Sequence, residues 1–201
     1  DERFSYFRKH IAASIKPVNA ALLVELAKEY MVSDAQVLDP FCGVGTMLIE
    51  RQKAVKANTS YGLDISAEAV AGARLNTEAA GQIVHYINRD FFTFEHEYLF
   101  DEIFTDMPFA VNDKVTLELD NIYRRFFTCA NRHLTMEGRI IMASTTMAAS
   151  KVAPEERSNI LWMAGTSTIM PTNPYTTEGM PASSCTAVRM TAASLGGATR
   201  A

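Results

Sequence analysis

The chain has 201 residues, of which 48% are hydrophobic and 21% charged, and its formal net charge is −4. This length fits one domain with a core that folds without cross-links, and no apolar run approaches the ~20 residues that are needed to span a bilayer. The negative charge argues against a large nucleic-acid-binding surface, because phosphate contacts need clustered Lys and Arg.

The three cysteines, Cys42, Cys129 and Cys185, are far apart and include no Cys-x-x-Cys pair. The sequence therefore predicts neither a disulfide framework nor a metal site, and it indicates a reducing, cytoplasmic location. The chain starts at Asp1 without an initiator Met or a signal peptide. We therefore expect it to be part of a longer gene product with an upstream domain.

Segments with helical and strand-like patterns alternate along the first 144 residues. The patterns predict helices at residues 18–31, 46–57, 66–80 and 116–134, and strands at residues 35–39, 60–64, 83–88, 102–106 and 139–143. Gly138 is expected to end the connection before the fifth strand, and Arg124 and Arg125 are expected on a solvated helix face. Such alternation implies an α/β fold whose parallel sheet has helices on both faces and binds ligands at the carboxyl ends of its strands.

Residues 39–46, Asp-Pro-Phe-Cys-Gly-Val-Gly-Thr, lie between the first predicted strand and the next helix. Gly43 and Gly45 lack the Cβ atoms that would keep a ligand away from the backbone, and the helix start presents unpaired N–H groups. The spacing is not the Gly-x-Gly-x-x-Gly of pyrophosphate-binding dinucleotide folds. The turn therefore predicts a nucleotide-like ligand without a pyrophosphate, and an ordinary strand-to-helix turn is the alternative.

An acidic residue ends or follows each of the first four predicted strands: Asp39, Asp64, Asp90 and Asp106. Asp64, followed by Ile65, comes about 20 to 25 residues after the glycine turn, which is the usual position for a carboxylate that binds a ribose diol. Asp90 is suited to accept a hydrogen bond from an exocyclic amine, and Phe91 to pack on a purine ring. Any single Asp at such a place also serves as a turn former or helix cap. Together the four predict a pocket for an adenosine without phosphate.

The sequence Asp106-Met107-Pro108-Phe109 follows the fourth predicted strand. An exocyclic amine on a nucleobase is a poor nucleophile because its lone pair is shared with the ring, and acceptors for its N–H groups help to localise that pair. The Asp106 carboxylate and the Met107 carbonyl are two such acceptors. Pro108 disfavours helical geometry at Met107, and Phe109 offers a face for stacking a flipped base. A strand that ends in a proline turn with a buried Phe is the alternative.

These motifs resemble the class I S-adenosylmethionine-dependent methyltransferases that methylate amines, in particular the RNA guanine-N2 methyltransferases commonly joined to THUMP RNA-binding domains. The segments Tyr6-Phe7-Arg8-Lys9 and Ser14-Ile15-Lys16-Pro17 are similar to that family's sequence before the first strand. The resemblance covers about residues 3–144. It implies a Rossmann-like fold, S-adenosyl-L-methionine as cofactor and an RNA substrate.

The resemblance also implies a role for each motif residue. The cofactor would be bound through its methionine part by Asp39, Pro40, Phe41, Gly43, Gly45 and Thr46, through its ribose by Asp64 and Ile65, and through its adenine by Asp90 and Phe91. The catalytic residues would be Asp106, Met107, Pro108 and Phe109. Met107 departs from the commonest Asp/Asn-Pro-Pro-Tyr/Phe pattern because it replaces the first Pro, which keeps the carbonyl and loses some rigidity.

The last part of the chain lacks regular apolar periodicity. From about Thr145 it is rich in Ala, Ser and Thr and is interrupted by prolines, and residues 160–163 and 187–191 are weak candidates for the two closing strands of the fold. Without them the fifth strand would be an unpaired edge. We therefore divide the chain into a lead-in with a helix at residues 1–34, a cofactor-binding and catalytic core at 35–144, and a divergent segment at 145–201.

The combined prediction is an N-methyltransferase that acts on guanine N2 of tRNA and depends on a separate or upstream RNA-binding domain, with neither a membrane nor a metal as partner. One alternative is methylation of an adenine or cytosine amine in nucleic acid, or of a protein glutamine. The other is a remnant that binds the cofactor without turnover.

Overall fold

The computed structural model describes residues 2–12, 14–108, 116–144 and 160–164 of the chain. The helices within these ranges are α1 (Pro17–Ala27), α2 (Thr46–Ala54), α3 (Ala67–Ala79) and α4 (Thr116–His133). The strands are β1 (Gln36–Asp39), β2 (Thr59–Asp64), β3 (His85–Asn88), β4 (Phe100–Asp106), β5 (Leu134–Ser144) and β6 (Ile160–Ala164). Single 3₁₀ turns lie at Glu2–Phe4, Lys28–Tyr30 and Phe91–Thr93.

The strands that the structure describes form one sheet in the order β3-β2-β1-β4-β5-β6, and every neighbouring pair is parallel. Because the chain moves outward from β1 to β3 and then returns to the other side of β1 with β4, the strand order reverses between β1 and β4. In open α/β sheets, ligands bind at the carboxyl ends of the strands at such a switch point. The predicted parallel sheet is confirmed.

Successive strand residues bury their side chains on opposite faces of the sheet. Val37 and Phe104 pack with residues of α1, α2 and α3, while Leu38 and Ile103 pack with residues of α4. The adjacent apolar residues Val37-Leu38 of β1 and Ile103-Phe104 of β4 thus bury one side chain on each face of the sheet. Helices therefore cover both faces of the sheet, as predicted.

The sequence correctly predicted both ends of α3. The Ser66 side chain accepts a hydrogen bond of 3.2 Å from the Ala69 N–H, which satisfies one of the free donors in the first turn. At the other end Gly81 has a φ of +66°, the left-handed geometry that commonly ends a helix.

The prediction that Gly138 ends the connection before the fifth strand is wrong. β5 begins at Leu134, directly after α4, and Gly138 lies within it. Phe100 pairs with Leu134 but Glu102 pairs with Arg139, so β5 bulges opposite Asp101. A Cβ on Gly138 would lie 2.8 Å from the Thr135 carbonyl oxygen, so the bulge requires a residue without a side chain.

β6 covers the far side of β5. It pairs from Ile140↔Ile160 to Ser144↔Ala164 in parallel orientation, which confirms the predicted strand at residues 160–163. Residues 187–191, the other candidate strand, lie outside the described residues. The three-part division of the chain stays a prediction.

A buried ion pair joins α2 to β4. The Arg51 and Glu102 side chains are both 0% exposed, with Nε 2.9 Å from Oε1. The Arg51 guanidinium also donates to the carbonyls of Val32 and Val55, and Glu102 accepts from the Val32 N–H. Every charged atom of the pair thus has partners, as burial of charge requires.

Candidate active site

A cavity of about 540 Å³ lies at the carboxyl ends of β1, β2 and β4, which is a volume typical of sites for small molecules and cofactors. The lead-in segment before α1 forms one wall through Ile11, Ser14 and Ile15, and α4 contributes Ile122 and Arg125. Eleven of the predicted site residues line it: Pro40, Phe41, Gly43, Thr46, Asp64, Ile65, Asp90, Phe91, Asp106, Met107 and Pro108. Asp39 and Gly45 lie outside this lining, and Phe109 is outside the described residues.

Asp64 links the end of β2 to the glycine turn. Its Oδ2 accepts a hydrogen bond of 3.0 Å from the Gly43 N–H, and its Oδ1 accepts one of 2.8 Å from the Ser66 N–H. Each oxygen keeps a second lone pair. Asp64 therefore both holds the turn in place and presents acceptors beside the cavity, and sequence reasoning predicted only the second of these roles.

The two glycines of the turn differ in the space around the position that a Cβ atom would occupy. Gly43 has a φ of +51°, and a Cβ placed on it would meet no atom within 4 Å. Gly45 has a φ of +82°, but its Cβ would overlap the Tyr86 hydroxyl, which is hydrogen-bonded to Thr77 at 2.8 Å. Gly43 thus borders open space in the cavity, whereas Gly45 is required by packing. The cofactor contact expected for Gly45 stays a prediction.

Asp39 is buried beneath the turn with only 1% of its surface exposed. Its Oδ1 accepts from the Thr105 hydroxyl at 2.6 Å and from the Phe41 N–H at 3.1 Å, while Oδ2 has no partner among the described residues. The pKa of this carboxyl is raised from 3.8 to about 7, mainly by burial and also by the nearby Asp106 and Asp64 charges, against the two hydrogen bonds, which lower it. The buried Thr46 hydroxyl, which lines the cavity, also lacks a partner within the described part of the chain.

Asp90 and the aromatic residues after it form the adenine end predicted for the pocket. The Asp90 Oδ1 accepts from the Phe92 N–H at 2.9 Å. Phe91 is 1% exposed and packs edge-on against Phe41, with 5.9 Å between the ring centroids. The half-buried Phe92, which sequence reasoning missed, also lines the cavity and has the Arg125 guanidinium 4.1 Å from its ring centroid. The sequence signal for Phe92 was its position directly after Phe91, which was predicted to pack on the purine ring.

The residues after β4 continue its ladder beyond the strand. The Met107 N–H donates to the Ala143 carbonyl at 3.0 Å, and the Met107 side chain is 1% exposed in the core. A proline at this position has no N–H and would lose that bond. Met107 is therefore held by a hydrogen bond and by packing. Burial raises the pKa of the neighbouring Asp106 carboxyl from 3.8 to about 6.

The cavity is acidic on balance. Three of its lining residues, Asp64, Asp90 and Asp106, carry carboxyl groups, and Arg125 is the one basic lining residue in the part of the chain that the structure describes. Clefts lined by one sign of charge favour ligands of the opposite sign. No group of three or more His, Cys, Asp or Glu side chains within the described residues could hold a metal ion. Among the same residues no helix has the length and apolar character to cross a membrane.

Comparison with known proteins identifies the family of this fold and cavity. Residues 6–161 match the family described as "RMKL-like, methyltransferase domain". The chain belongs to this family. The resemblance predicted from the motifs is confirmed. Class I methyltransferases use S-adenosylmethionine, so the predicted cofactor is also confirmed at the level of family and fold.

Two curated relatives are named tRNA (guanine(10)-N2)-dimethyltransferases. The protein from Pyrococcus abyssi is 28% identical over 134 residues, which are 65% of this chain and 38% of the relative. The protein from Methanothermobacter thermautotrophicus is 28% identical over 169 residues, which are 79% of this chain and 48% of the relative. The chain thus spans less than half the length of each relative.

Solved structures share the fold. TrmN from Thermus thermophilus aligns with a TM-score of 0.55 and 25% identity over 69% of this chain and 40% of that chain. An S-adenosylmethionine-dependent methyltransferase from Clostridium acetobutylicum aligns with a TM-score of 0.51 and 18% identity over 70% of this chain and 56% of that chain. These similarities confirm the predicted Rossmann-like class I methyltransferase fold.

Proposed function

We propose that this domain transfers the methyl group of S-adenosylmethionine to an exocyclic amine of RNA, and that the amine is guanine N2 in tRNA. The observation that carries the proposal is the position of Asp106 and Met107 on the same cavity as Asp64 and Gly43. A cofactor at the glycine turn and an amine at Asp106 would then share one enclosed space. Transfer between them needs the nitrogen, methyl carbon and sulfur in line.

The residues present fit the cofactor. When bound, S-adenosylmethionine supplies an electrophilic methyl group on a cationic sulfonium, which suits an acidic cavity. The free lone pairs of Asp64 would accept from the ribose hydroxyls, Asp90 would accept from the adenine amine, and the unpartnered Thr46 hydroxyl together with the open space at Gly43 would accommodate the methionine part. We assign Asp39, Pro40, Phe41 and Gly45 to the support of this turn, and Ile65 and Phe91 to the walls of the nucleoside end.

Asp106 and Met107 would act on the amine. The Asp106 carboxylate accepts one N–H of the amine and the Met107 carbonyl accepts the other, so that the lone pair is less delocalised when it attacks the methyl group. Asp106 is then placed to receive the proton that the methylated nitrogen releases, because burial has already raised the pKa of its carboxyl. Pro108 keeps Met107 extended, and Phe109 is proposed to stack on the flipped base, a contact that contributes ~1–3 kcal/mol.

Guanine N2 in tRNA is favoured over other amines by the two relatives, whose names give that specificity for them. An RNA-binding domain, separate or upstream, would supply most of the affinity because the net charge of this chain is −4. We therefore expect weak tRNA binding by this chain alone. The cytoplasmic location expected from the cysteine pattern is part of the same proposal. An adenine or cytosine amine, a protein glutamine, and cofactor binding without turnover are the competing possibilities.

The test is incubation of the protein and labelled S-adenosylmethionine with total tRNA, total DNA and a protein extract, followed by nucleoside and amino-acid analysis. Labelled N2-methylguanosine in tRNA is expected. Asp106→Asn should keep the cofactor affinity and lose most of the single-turnover rate, while Glu78→Gln, which removes an exposed acid of α3, should match the parent. Label in another amine would overturn the substrate, and cofactor binding without label anywhere would favour the remnant.

A further inference from the structure

A groove of about 310 Å³ runs along α4 next to the candidate active site. Its lining consists of Phe92, Arg124, Arg125, Thr128, Cys129 and Arg132, and we call it the arginine groove. Phe92 and Arg125 line both this groove and the larger cavity, so the two spaces share a wall. The groove is therefore next to the place where the target base is proposed to bind.

The three arginines of the groove are exposed, and none has a carboxylate at salt-bridge distance among the residues that the structure describes. Two of them are held in place by neighbours. The Arg125 guanidinium lies 4.1 Å from the centroid of the Phe92 ring, and the Arg132 Nη2 is 3.4 Å from the Cys129 sulfur. A cationic cluster of this kind, in a chain of net charge −4, indicates an anionic ligand.

We propose that the arginine groove binds the phosphate backbone of the RNA substrate beside the target nucleotide, an inference that rests on the proposed function. Guanidinium groups bind phosphate with two parallel hydrogen bonds, and arginine side chains are among the common donors to phosphate oxygens in complexes with nucleic acids. The acids of the neighbouring cavity repel phosphate. The backbone is thus kept in the groove while an uncharged base passes Phe92 towards Asp106.

The experiment measures the binding of a labelled single-stranded RNA to the parent, Arg132→Gln and Arg125→Gln/Arg132→Gln as a function of salt. Each arginine that neutralises a phosphate contributes about 0.7 to the slope of log K against log [salt] for single strands. We expect the slope to fall by about 0.7 per substitution. Arg132 gives the clearer test because it lines the groove and not the cavity. Arg124 is not substituted because it follows the acidic Asp120 by one turn of α4.

Lys56→Gln is the matched control. It removes one exposed positive charge between α2 and β2, at the amino ends of the strands, and should keep the parental slope. Calorimetry should give the parental cofactor affinity for Arg132→Gln and Lys56→Gln, because neither residue lines the cavity. In steady-state methylation of tRNA, Arg132→Gln should raise KM and leave kcat unchanged, because a phosphate contact is made equally in the ground and transition states.

Two outcomes separate failure of this inference from failure of the proposed function. If the parent methylates RNA and Arg132→Gln keeps the parental slope and KM, the groove does not bind the backbone although the function stands. If the parent methylates only a non-RNA amine, or its arginine groove binds an acidic protein in preference to RNA, the substrate class and the inference fail together.

Discussion

The carboxyl groups of the buried Asp39 and the half-buried Asp106, at the ends of β1 and β4, have pKa values that are raised by partial or full removal from water to about 7 and about 6. Their charged forms are therefore disfavoured in the folded domain without a ligand. A cationic ligand in the cavity would favour the charged forms again. At the scale of single residues, the cationic cofactor proposed for this cavity would therefore lower both pKa values.

The first prediction concerns Asp39 and stability. Because its folded pKa is raised above the value of 3.8, the stability that its protonation contributes is present at low pH and is lost as the pH rises from about 4 to about 7. The size is about 2–3 kcal/mol between pH 5 and pH 8. Asp39→Asn should remove this part of the pH dependence in chemical unfolding experiments without cofactor. Glu78→Gln, on an exposed face of α3, should keep it, and a parental pH profile in Asp39→Asn would refute the assignment.

The second prediction concerns Asp106 and rate. Protonation removes the anionic acceptor for the amine, so the single-turnover rate at saturating cofactor should fall as the pH drops below about 6, the pKa of Asp106 without ligand, because the cationic cofactor lowers that pKa. Asp106→Asn should have a low rate with no such inflection. The measurement is a series of single-turnover reactions between about pH 5 and pH 8. An inflection at the same pH in Asp106→Asn would assign it to another group.

The third prediction concerns Asp64 and affinity. Asp64→Ala should weaken S-adenosylmethionine binding about ten- to a hundredfold, since a hydrogen bond to a charged group contributes ~1.5–3 kcal/mol. The substitution also removes the acceptor of the Gly43 and Ser66 N–H groups and so lowers the stability of the domain. A control variant with a similar loss of stability is therefore needed. Ser66→Ala, which removes the cap of α3 at a cost of about 1 kcal/mol and does not line the cavity, is the control. Calorimetry should show normal affinity for Ser66→Ala, and NAD should bind to neither protein.

At the scale of elements, each of the strands β1 to β4 is ended or followed by an acidic residue at the same edge of the sheet. The loops after these strands line the cavity. The glycine turn between β1 and α2 borders the cavity at Gly43 and packs against β3 at Gly45 through Tyr86. One short motif thus borders the cavity and packs into the core at positions two residues apart.

The fourth prediction compares the glycines with positive φ. Gly81→Ala should cost ~1–2 kcal/mol of unfolding free energy, from the left-handed backbone alone, because its Cβ would meet nothing within 4 Å. Gly43→Ala should cost about the same but also weaken cofactor binding. Gly45→Ala should destabilise more than either, because its Cβ would overlap the Tyr86 hydroxyl. Denaturant unfolding and calorimetry measure both quantities, and equal cofactor affinity in Gly43→Ala and Gly81→Ala would contradict the placement of the ligand.

At the scale of the whole molecule, the Arg51–Glu102 pair connects the helical layer to the sheet and to the loops that precede β1 and β2. It lies away from the cavity lining. Its partners at Val32 and Val55 are backbone groups of half-buried residues in these two loops. The pair therefore contributes to the position of α2, and through α2 to the position of the glycine turn.

The fifth prediction is that Arg51→Leu destabilises the domain by about 3–5 kcal/mol, since it leaves the buried Glu102 charge unpaired. The double variant Arg51→Leu/Glu102→Leu should lose less than the sum of the single variants. Lys28→Gln, which breaks the exposed pair of Lys28 with Glu25, should change stability by at most about 0.5 kcal/mol. Denaturant unfolding of the four variants measures the coupling, and additive losses would show that the two charges do not depend on each other.

Much of the fold was readable in the sequence because its signals are local. The adjacent apolar residues at the centres of β1 and β4, the Ser66 cap and the Gly81 stop depend on residues within a few positions of one another. Parallel topology then brings the strand ends to one edge, so the meeting of Asp64 and Asp106 at one cavity followed from the order of elements. The roles proposed for these residues stay predictions.

What only the tertiary structure decided depends on contacts between residues that are distant in sequence. The local pattern predicted a strand start at Arg139, but pairing with β4 extends β5 back to Leu134 through a bulge at Gly138. Likewise the pairing of Arg51 with Glu102 and the stacking of Arg125 on Phe92 leave no periodic signal. Sequence determines which element forms and roughly where it ends, because backbone preferences and apolar periodicity act over one or two turns. Which side chains then share a buried space is set by the packing of whole elements.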